Sequence, residues 1–185
     1  WQRAERAVRV AVNLSAHQLR PDFIGALMQE LERSGLSPRQ VDIEITESSF
    51  IEKPDQVEQI LREVKLAGLG VCLDDFGTGY SSLSYLQRLP IDKLKIDKSF
   101  VQKLGKTQQA DRIVAATAVL ASSLGIALVG EGVETLEQLV QLRDLGCHLH
   151  QGYYFSRALP AVEFEAWMKR PLPPLHETQH ASAAA

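Results

Sequence analysis

No stretch of this 185-residue chain approaches the roughly 18 apolar residues that a membrane-spanning helix needs. The first ten residues lack the basic, apolar and small-residue zones of a secretion signal. Basic blocks are missing as well. With a net charge of −3, nothing draws the chain in bulk toward a nucleic acid polymer or an anionic membrane surface. Cysteine is confined to Cys72 and Cys147, each within or beside an apolar run. That placement predicts reduced thiols packed as small hydrophobes in preference to a disulfide. What is present is one domain's length with 45% hydrophobic content, enough for a real core. The expectation is a soluble, cytoplasmic domain without membrane contact, which can be one piece of a longer chain.

The chain is organised around Leu73-Asp74-Asp75-Phe76-Gly77-Thr78-Gly79-Tyr80-Ser81-Ser82. Gly70-Val71-Cys72-Leu73 before it reads as a buried strand. Two adjacent carboxylates close that strand, and a glycine-spaced turn follows. Strand alternation points Asp74 and Asp75 to opposite faces, although a strand end is loose enough to converge them. Two anions side by side need a cation or a shared proton. A strand-end cap is the plain alternative, with Asp75 receiving turn amides. The other strand ends argue against it, because they also finish in polar groups.

Trp1 to Arg6 reads as the tail of a helix, and residues 8–12 alternate as a strand that runs into Asn13-Leu14-Ser15. A helix starts at Pro21-Asp22 and stops at Gly35. Residues 41–47 form a second strand, and a helix from Pro54 to Gly68 presents Val57, Ile60, Leu61, Val64 and Ala67 on one face. After the Asp-Asp strand come an element at 82–89 and the short strand 93–97. A long helix follows at 109–124, with Ile113, Thr117, Leu120 and Leu124 inward, and then a strand at 126–129 that leads into Gly130-Glu131. Thr135 and Gln138 make a capping box for the next helix. A last strand starts at Cys147, and a helix over 160–169 is expected to bury Val162, Phe164 and Trp167. Residues 1–170 thus read as one domain and 171–185 as a disordered tail.

Six strands alternating with helices argue a parallel α/β sheet, open or closed into a barrel. Asn13, Glu44, Asp74 with Asp75, Lys95 with Asp97, Glu131 and Gln151 all sit at carboxyl ends of strands. In a barrel those ends converge on one rim, whereas an open sheet spreads them along an edge. Polar residues at the same end of every strand favour the barrel.

Glu44, Asp74, Asp75 and Glu131 are hard oxygen ligands, and Asn13 adds a neutral carbonyl oxygen. The set suits Mg²⁺ or Mn²⁺, with no convergent Cys or His group to prefer zinc. Four carboxylates and an amide can hold two ions with Asp74 as the bridge, an arrangement suited to phosphate-ester hydrolysis. Lys95 is the one cation among them, placed to orient a water or steady phosphate charge. Glycosidase chemistry also uses two carboxylates, but needs neither the lysine nor so many acids.

Six ordered motifs resemble those of the EAL family of cyclic di-GMP phosphodiesterases. They are Asn13-Leu14-Ser15, Glu44-Ile45-Thr46-Glu47, the stretch Asp74 to Leu83, Leu94-Lys95-Ile96-Asp97, Glu131-Gly132-Val133-Glu134 and Gln151-Gly152-Tyr153. The resemblance runs from about Trp1 to Trp167. It implies a TIM-like (β/α) barrel that hydrolyses cyclic di-GMP to linear pGpG with Mg²⁺ or Mn²⁺. It also implies that Asn13, Glu44 and Asp74 bind a first ion, and Asp74, Asp75 and Glu131 a second. By the same resemblance Lys95 positions the attacking water, Gln151 supports the site floor, and Glu134 and Asp97 assist from outside the ligand set. Glu47 anchors the loop 76–82, which closes over the metals and carries homodimer contacts. Gly130 stands where the family usually has alanine. The chain is then expected to belong to a larger, multidomain or membrane-anchored signalling protein.

The Glu-Ala-Leu signature appears nowhere in this chain. In the family its glutamate is a ligand of the first ion, and an arginine three residues later binds substrate phosphate. The sequence begins after both, so the barrel read here lacks its first strands. The expectation is that the N-terminal part lies outside this sequence; the alternative is a true fragment that pairs with something. Two functional readings follow from this. One is an active phosphodiesterase, favoured by the intact Asp-Asp pair, lysine and loop. The other is an inactive domain that binds cyclic di-GMP or a protein, favoured by the missing glutamate.

His148 and His150 are expected to be hydrogen-bonded strand residues and not metal ligands. Ser81 and Ser82 are expected to bond within the glycine turn and not to act as nucleophiles. Cys72 is expected in the core. Glu134 opens a helix, where a carboxylate also complements the helix dipole.

Overall fold

The computed structural model describes residues 8–20, 22–50, 54–78 and 86–170. Its elements in chain order are β1 (Val10–Asn13), α1 (Phe23–Ser34), β2 (Val41–Thr46), α2 (Pro54–Leu66), β3 (Gly70–Phe76), β4 (Lys93–Ile96), α3 (Lys98–Val101), α4 (Gln108–Leu124), β5 (Ala127–Glu131), α5 (Leu136–Asp144), β6 (Leu149–Gln151) and α6 (Ala161–Met168). Strand order in the sheet follows chain order from β1 to β6, and every neighbouring pair is parallel. The sheet curls into part of a TIM-like barrel, with helices packed on its outer face. The expected α/β barrel lacking strands is therefore what the chain forms.

Local chemistry accounts for most of these elements. α2 begins at Pro54, and its Val57, Ile60, Leu61 and Val64 recur at helical spacing and are buried. α1 ends at Gly35 and α4 at Gly125, both in the left-handed conformation with amides donating back to the last turn. α5 opens on the Thr135–Gln138 capping box, with the Thr135 hydroxyl accepting from the Gln138 amide and the Gln138 side chain accepting from the Thr135 amide.

Strand alternation divides the side chains between two environments. Val41, Ile43 and Ile45 of β2 point outward and join Ile60, Leu61 and Val64 of α2 in one hydrophobic core. Asp42 and Glu44 point the other way, into the barrel interior, as do Lys93 and Lys95 of β4. Two ion pairs therefore cross from β2 to β4 over the small residues of β3. Glu44 pairs with Lys95, and Asp42 pairs with Lys93 and with Arg9. Gly70 makes the lower crossing possible: a Cβ there would lie 1.9 Å from Asp42 Oδ1. The sequence reading missed the Asp42–Lys93 pair, although the two-residue spacing Asp42/Glu44 and Lys93/Lys95 carries the signal.

Three expectations need correcting. Val162 is 80% exposed, and no residue of α6 is fully buried; of the three residues expected inward, Phe164 and Trp167 are partly covered. The short helix α3 directly after β4 was not foreseen. Asp97 is its N-cap and accepts from the Ser99 amide at 2.9 Å. The strand expected from Cys147 begins only at Leu149. Both cysteines are free and buried, as expected. Burial pushes the Cys72 thiol up to about 12 and the Cys147 thiol up to about 11, which keeps both protonated. The expected helix tail at 1–6, the element at 82–89 through residue 85, and the tail 171–185 lie outside the described residues.

Candidate active site

Lys95 is the centre of the site. It is 4% exposed, and its Nζ lies 2.6 Å from Glu131 Oε1, 3.0 Å from Glu44 Oε2 and 3.2 Å from Asp74 Oδ2. These partners come from β5, β2 and β3, so strands separated in the chain meet on one ammonium. Burial works against the charge on Lys95, but bonds to Glu131 and Glu44 and the Asp74 charge outweigh it and hold the ammonium above its usual range. Burial pushes Glu131 above the usual carboxylate range; the Lys95 bond opposes this, while the Asp74 and Glu44 charges add to it.

Asp74 and Asp75 converge because the backbone leaves the strand pattern between them. Asp75 has a φ of 55°, the one described non-glycine residue in the left-handed region, and aspartate tolerates that conformation better than most residues. The β3–β4 register also shifts between Leu73 and Phe76. Asp74 Oδ1 accepts from the Asp75 amide at 2.9 Å, and the Asp75 carbonyl accepts from the Thr78 hydroxyl at 2.9 Å. Asp75 is held above the usual carboxylate range by burial, then by the charges of Asp74 and Asp97.

One carboxylate oxygen from each of Asp74, Asp75 and Glu131 lies within 4.8 Å of the others. An all-oxygen donor set of this kind fits a hard divalent cation such as Mg²⁺ or Mn²⁺. Among the described residues no histidine belongs to it. His150 bonds the Cys147 carbonyl at 2.9 Å and lies against the Phe155 ring, in line with the structural reading of that residue.

The remaining candidates surround this cluster. A cleft of about 380 Å³ is lined by Asp75, Asp97, Glu131, Glu134, Gln151 and Tyr153. The Glu134 carboxylate accepts from Gln102 Nε2 at 3.1 Å. Asn13 pairs in register with Glu44 but sits exposed on the outermost strand β1. Glu47 opens a single 3-10 turn (Glu47–Phe50), is 7% exposed, and has no hydrogen-bond partner for either carboxylate oxygen among the described residues. The Thr78 amide and hydroxyl both go to Asp75, so the expected clasp by Glu47 is not made to Thr78. Gly79, Ser81 and Ser82 lie outside the described residues. Sequence reasoning overlooked Lys98 and Gln102 as parts of the cleft, whereas Tyr153 stands in the Gln151-Gly152-Tyr153 motif.

The family model for the EAL domain matches residues 1–158. The chain is 40% identical over 163 residues to the cyclic di-GMP phosphodiesterase NbdA of Pseudomonas aeruginosa, covering 88% of this chain and 21% of that protein. It is 39% identical over 171 residues to the cyclic di-GMP phosphodiesterase PdeR of Escherichia coli, covering 92% and 26%. The chain thus spans about a fifth to a quarter of the length of these relatives. Among solved structures, it superposes on the PaMucR phosphodiesterase in complex with c-di-GMP with a TM-score of 0.81 at 39% identity, over 84% of this chain and 64% of that one. It superposes on Klebsiella pneumoniae BlrP1 in a manganese and cyclic di-GMP complex with a TM-score of 0.75 at 42% identity, over 80% and 38%.

Proposed function

Because the chain belongs to the EAL domain family, we propose that it carries the catalytic rim of a phosphodiesterase that hydrolyses cyclic di-GMP to linear pGpG. The observation that carries this reading is the convergence of Glu44, Asp74 and Glu131 on Lys95, with Asp75 beside them. Phosphodiester hydrolysis needs anionic oxygens that can hold divalent cations and a fixed cation near the phosphate. Asn13, Glu44 and Asp74 would hold one Mg²⁺ or Mn²⁺ ion, and Asp74, Asp75 and Glu131 the other. Bound there, such ions acidify water and neutralise phosphate charge.

The chain's own groups do the rest. Lys95 is kept protonated by its three carboxylates, so it donates hydrogen bonds and does not act as a base. A water that takes the place of one carboxylate at Nζ would accept a hydrogen bond there and keep one lone pair to face phosphorus. Asp75, beside Asp97 at the rim, is placed to accept the proton that water loses. Gln151 at the end of β6 offers an amide to the floor of the cleft, and Glu134 braces Gln102 beside it. Glu47 is assigned to the loop 76–82, and that loop to contact with a second copy. Residues 1–170 are assigned to the catalytic domain. A cytoplasmic setting within a larger signalling protein fits the relatives' much greater length.

Asp74→Asn in the purified full-length protein tests the reading. Asparagine keeps the oxygen that accepts from the Asp75 amide, so the fold should hold while the ligand charge is lost. The expected result is loss of Mg²⁺-dependent conversion of cyclic di-GMP to pGpG with an unchanged circular dichroism spectrum. Turnover at the wild-type rate would overturn the two-ion assignment.

A further inference from the structure

Lys93 and Lys95 of β4 both face the barrel interior, and each meets an acid of β2 on the far side of β3. The strand register puts Glu44 level with Cys72 of β3, and Cys72 level with Lys93 of β4. By register, then, the lysine opposite Glu44 is Lys93. The bonds run otherwise. Glu44 reaches toward the carboxyl end of the sheet to Lys95 at 3.0 Å, and Lys93 reaches the other way to Asp42. The Cys72 thiol feels the charges of Glu44, Lys95, Asp74 and Lys93 together. A second cation thus stands beside a carboxylate that the site uses.

Asp42 decides between the two arrangements. It is 4% exposed, and Lys93 Nζ donates to its Oδ2. Its Oδ1 has no hydrogen-bond partner among the described residues, although Arg9 Nε stands 3.2 Å away. Lys93 is therefore the partner that Asp42 holds by a hydrogen bond. Gly70 leaves the room, since a Cβ there would lie 1.9 Å from Asp42 Oδ1. With the Asp42 charge removed, Lys93 would lose the acid it pairs with inside the barrel, a costly state for an ammonium. Its four-carbon stem is flexible, and the register offers Glu44 as the next carboxylate. Bonded there, Lys93 would draw Glu44 from Lys95 and bring a second positive charge against the cation site.

We propose that Asp42 is a positioning residue: by holding Lys93 it reserves Glu44 for Lys95 and the divalent ion. The assignment rests on the phosphodiesterase reading above. The test compares Asp42→Asn, Lys93→Met and the double variant with wild type in the full-length protein. In Asp42→Asn, kcat for Mg²⁺-dependent hydrolysis of cyclic di-GMP should fall about tenfold or more, with KM within about twofold. Lys93→Met should stay near the wild-type kcat, because Glu44 keeps Lys95. The double variant should recover to the level of Lys93→Met, which a role confined to holding the sheet together does not predict. A double variant as slow as Asp42→Asn, or Asp42→Asn at the wild-type kcat, overturns the proposal. Should Asp42→Asn not fold, Gly70→Ala displaces the same carboxylate and should lose kcat and regain it with Lys93→Met; no recovery there overturns the proposal equally. Crystal structures of wild type and Asp42→Asn without substrate give a readout apart from activity. Lys93 bonded to Glu44 in the variant is expected, and an intact Glu44–Lys95 bond with Lys93 elsewhere overturns the role. Wild-type protein that does not hydrolyse cyclic di-GMP overturns the reading above, while the two crystal structures still decide what Asp42 does.

Discussion

Lys95 and Glu131 meet at 2.6 Å between Nζ and Oε1, the shortest of three ion pairs that converge on one buried ammonium. Their strands, β4 and β5, are hydrogen-bonded neighbours, whereas Glu44 reaches the same ammonium from β2 across β3. The pair therefore joins the catalytic rim to the sheet, and disturbing it should affect chemistry and stability together.

Lys95→Ala removes the one cation and leaves three carboxylates facing each other with Asp75 close by. Breaking a buried ion pair from one side costs about 3 kcal/mol or more. Urea unfolding at pH 7 should show a loss of that order, lessened by Mg²⁺. In cyclic di-GMP hydrolysis the proposed role at the attacking water predicts a fall in kcat of about 10²-fold or more with a smaller change in KM. A change confined to KM would remove Lys95 from the water.

Gly70→Ala probes the crossing beneath. The added methyl would meet Asp42 Oδ1 at 1.9 Å, so the carboxylate must move away from Arg9 and Lys93 or β3 must shift. Overpacking of this kind costs about 1–3 kcal/mol. Thermal unfolding should show the loss. Asp42→Ala in the same background should relieve the clash, and the two changes should not add.

The helices were legible in the sequence because their signals are local. Pro54, the Thr135–Gln138 box and the closing glycines each act within a turn or two. The rim was legible for another reason: acids and a lysine recurred at strand ends, and only a curled sheet brings such ends together. What stayed hidden depends on three-dimensional register. Nothing local announces that Asp75 adopts φ 55°, since the turn that imposes it also involves a shift between β3 and β4. Val162 has a helical apolar spacing, yet the first turn of α6 has little to pack against. The exposure of Asn13 follows from its place on the outermost strand, which the motif alone does not reveal.

His150 supplies a pH dependence whose sign can be worked out. Burial lowers its pKa from 6.5, with Arg143 and His148 adding to that and the bond to the Cys147 carbonyl opposing it. The folded state therefore binds the second ring proton more weakly than the unfolded chain does. The stability contribution is fully present above the unfolded value near 6.5 and is lost as pH falls through that value toward the folded one. The His150 contribution to unfolding free energy should decline between about pH 7 and 5, opposite in sign to the contributions of Asp75 and Glu131, whose pKa values are raised. His150→Gln, which keeps a side-chain donor for Cys147, should flatten that slope. An unchanged slope would place the titrating group elsewhere.

Glu47 presents the opposite situation to Lys95: a buried charge with no visible partner. It is 7% exposed, and neither oxygen is hydrogen-bonded among the described residues. The nearby hydroxyls do not serve it, because Thr46 pairs with Ser48 and Ser49. A carboxylate so placed carries a desolvation cost that the described residues do not offset. It opens the turn packed against β3, whose end carries Asp74 and Asp75 and leads into the loop 76–82. Glu47→Gln keeps the shape and removes the charge, so the folded state should be as stable as before or more so. If the carboxylate holds that loop over the site, activity and Mg²⁺ affinity should fall about tenfold, as is usual for groups that orient metal ligands from behind. Calorimetric Mg²⁺ titration, steady-state hydrolysis and urea unfolding on the same preparation separate the two effects. Stability raised with activity, metal affinity and dimerisation all unaltered would make Glu47 a buried acid with no part in the site.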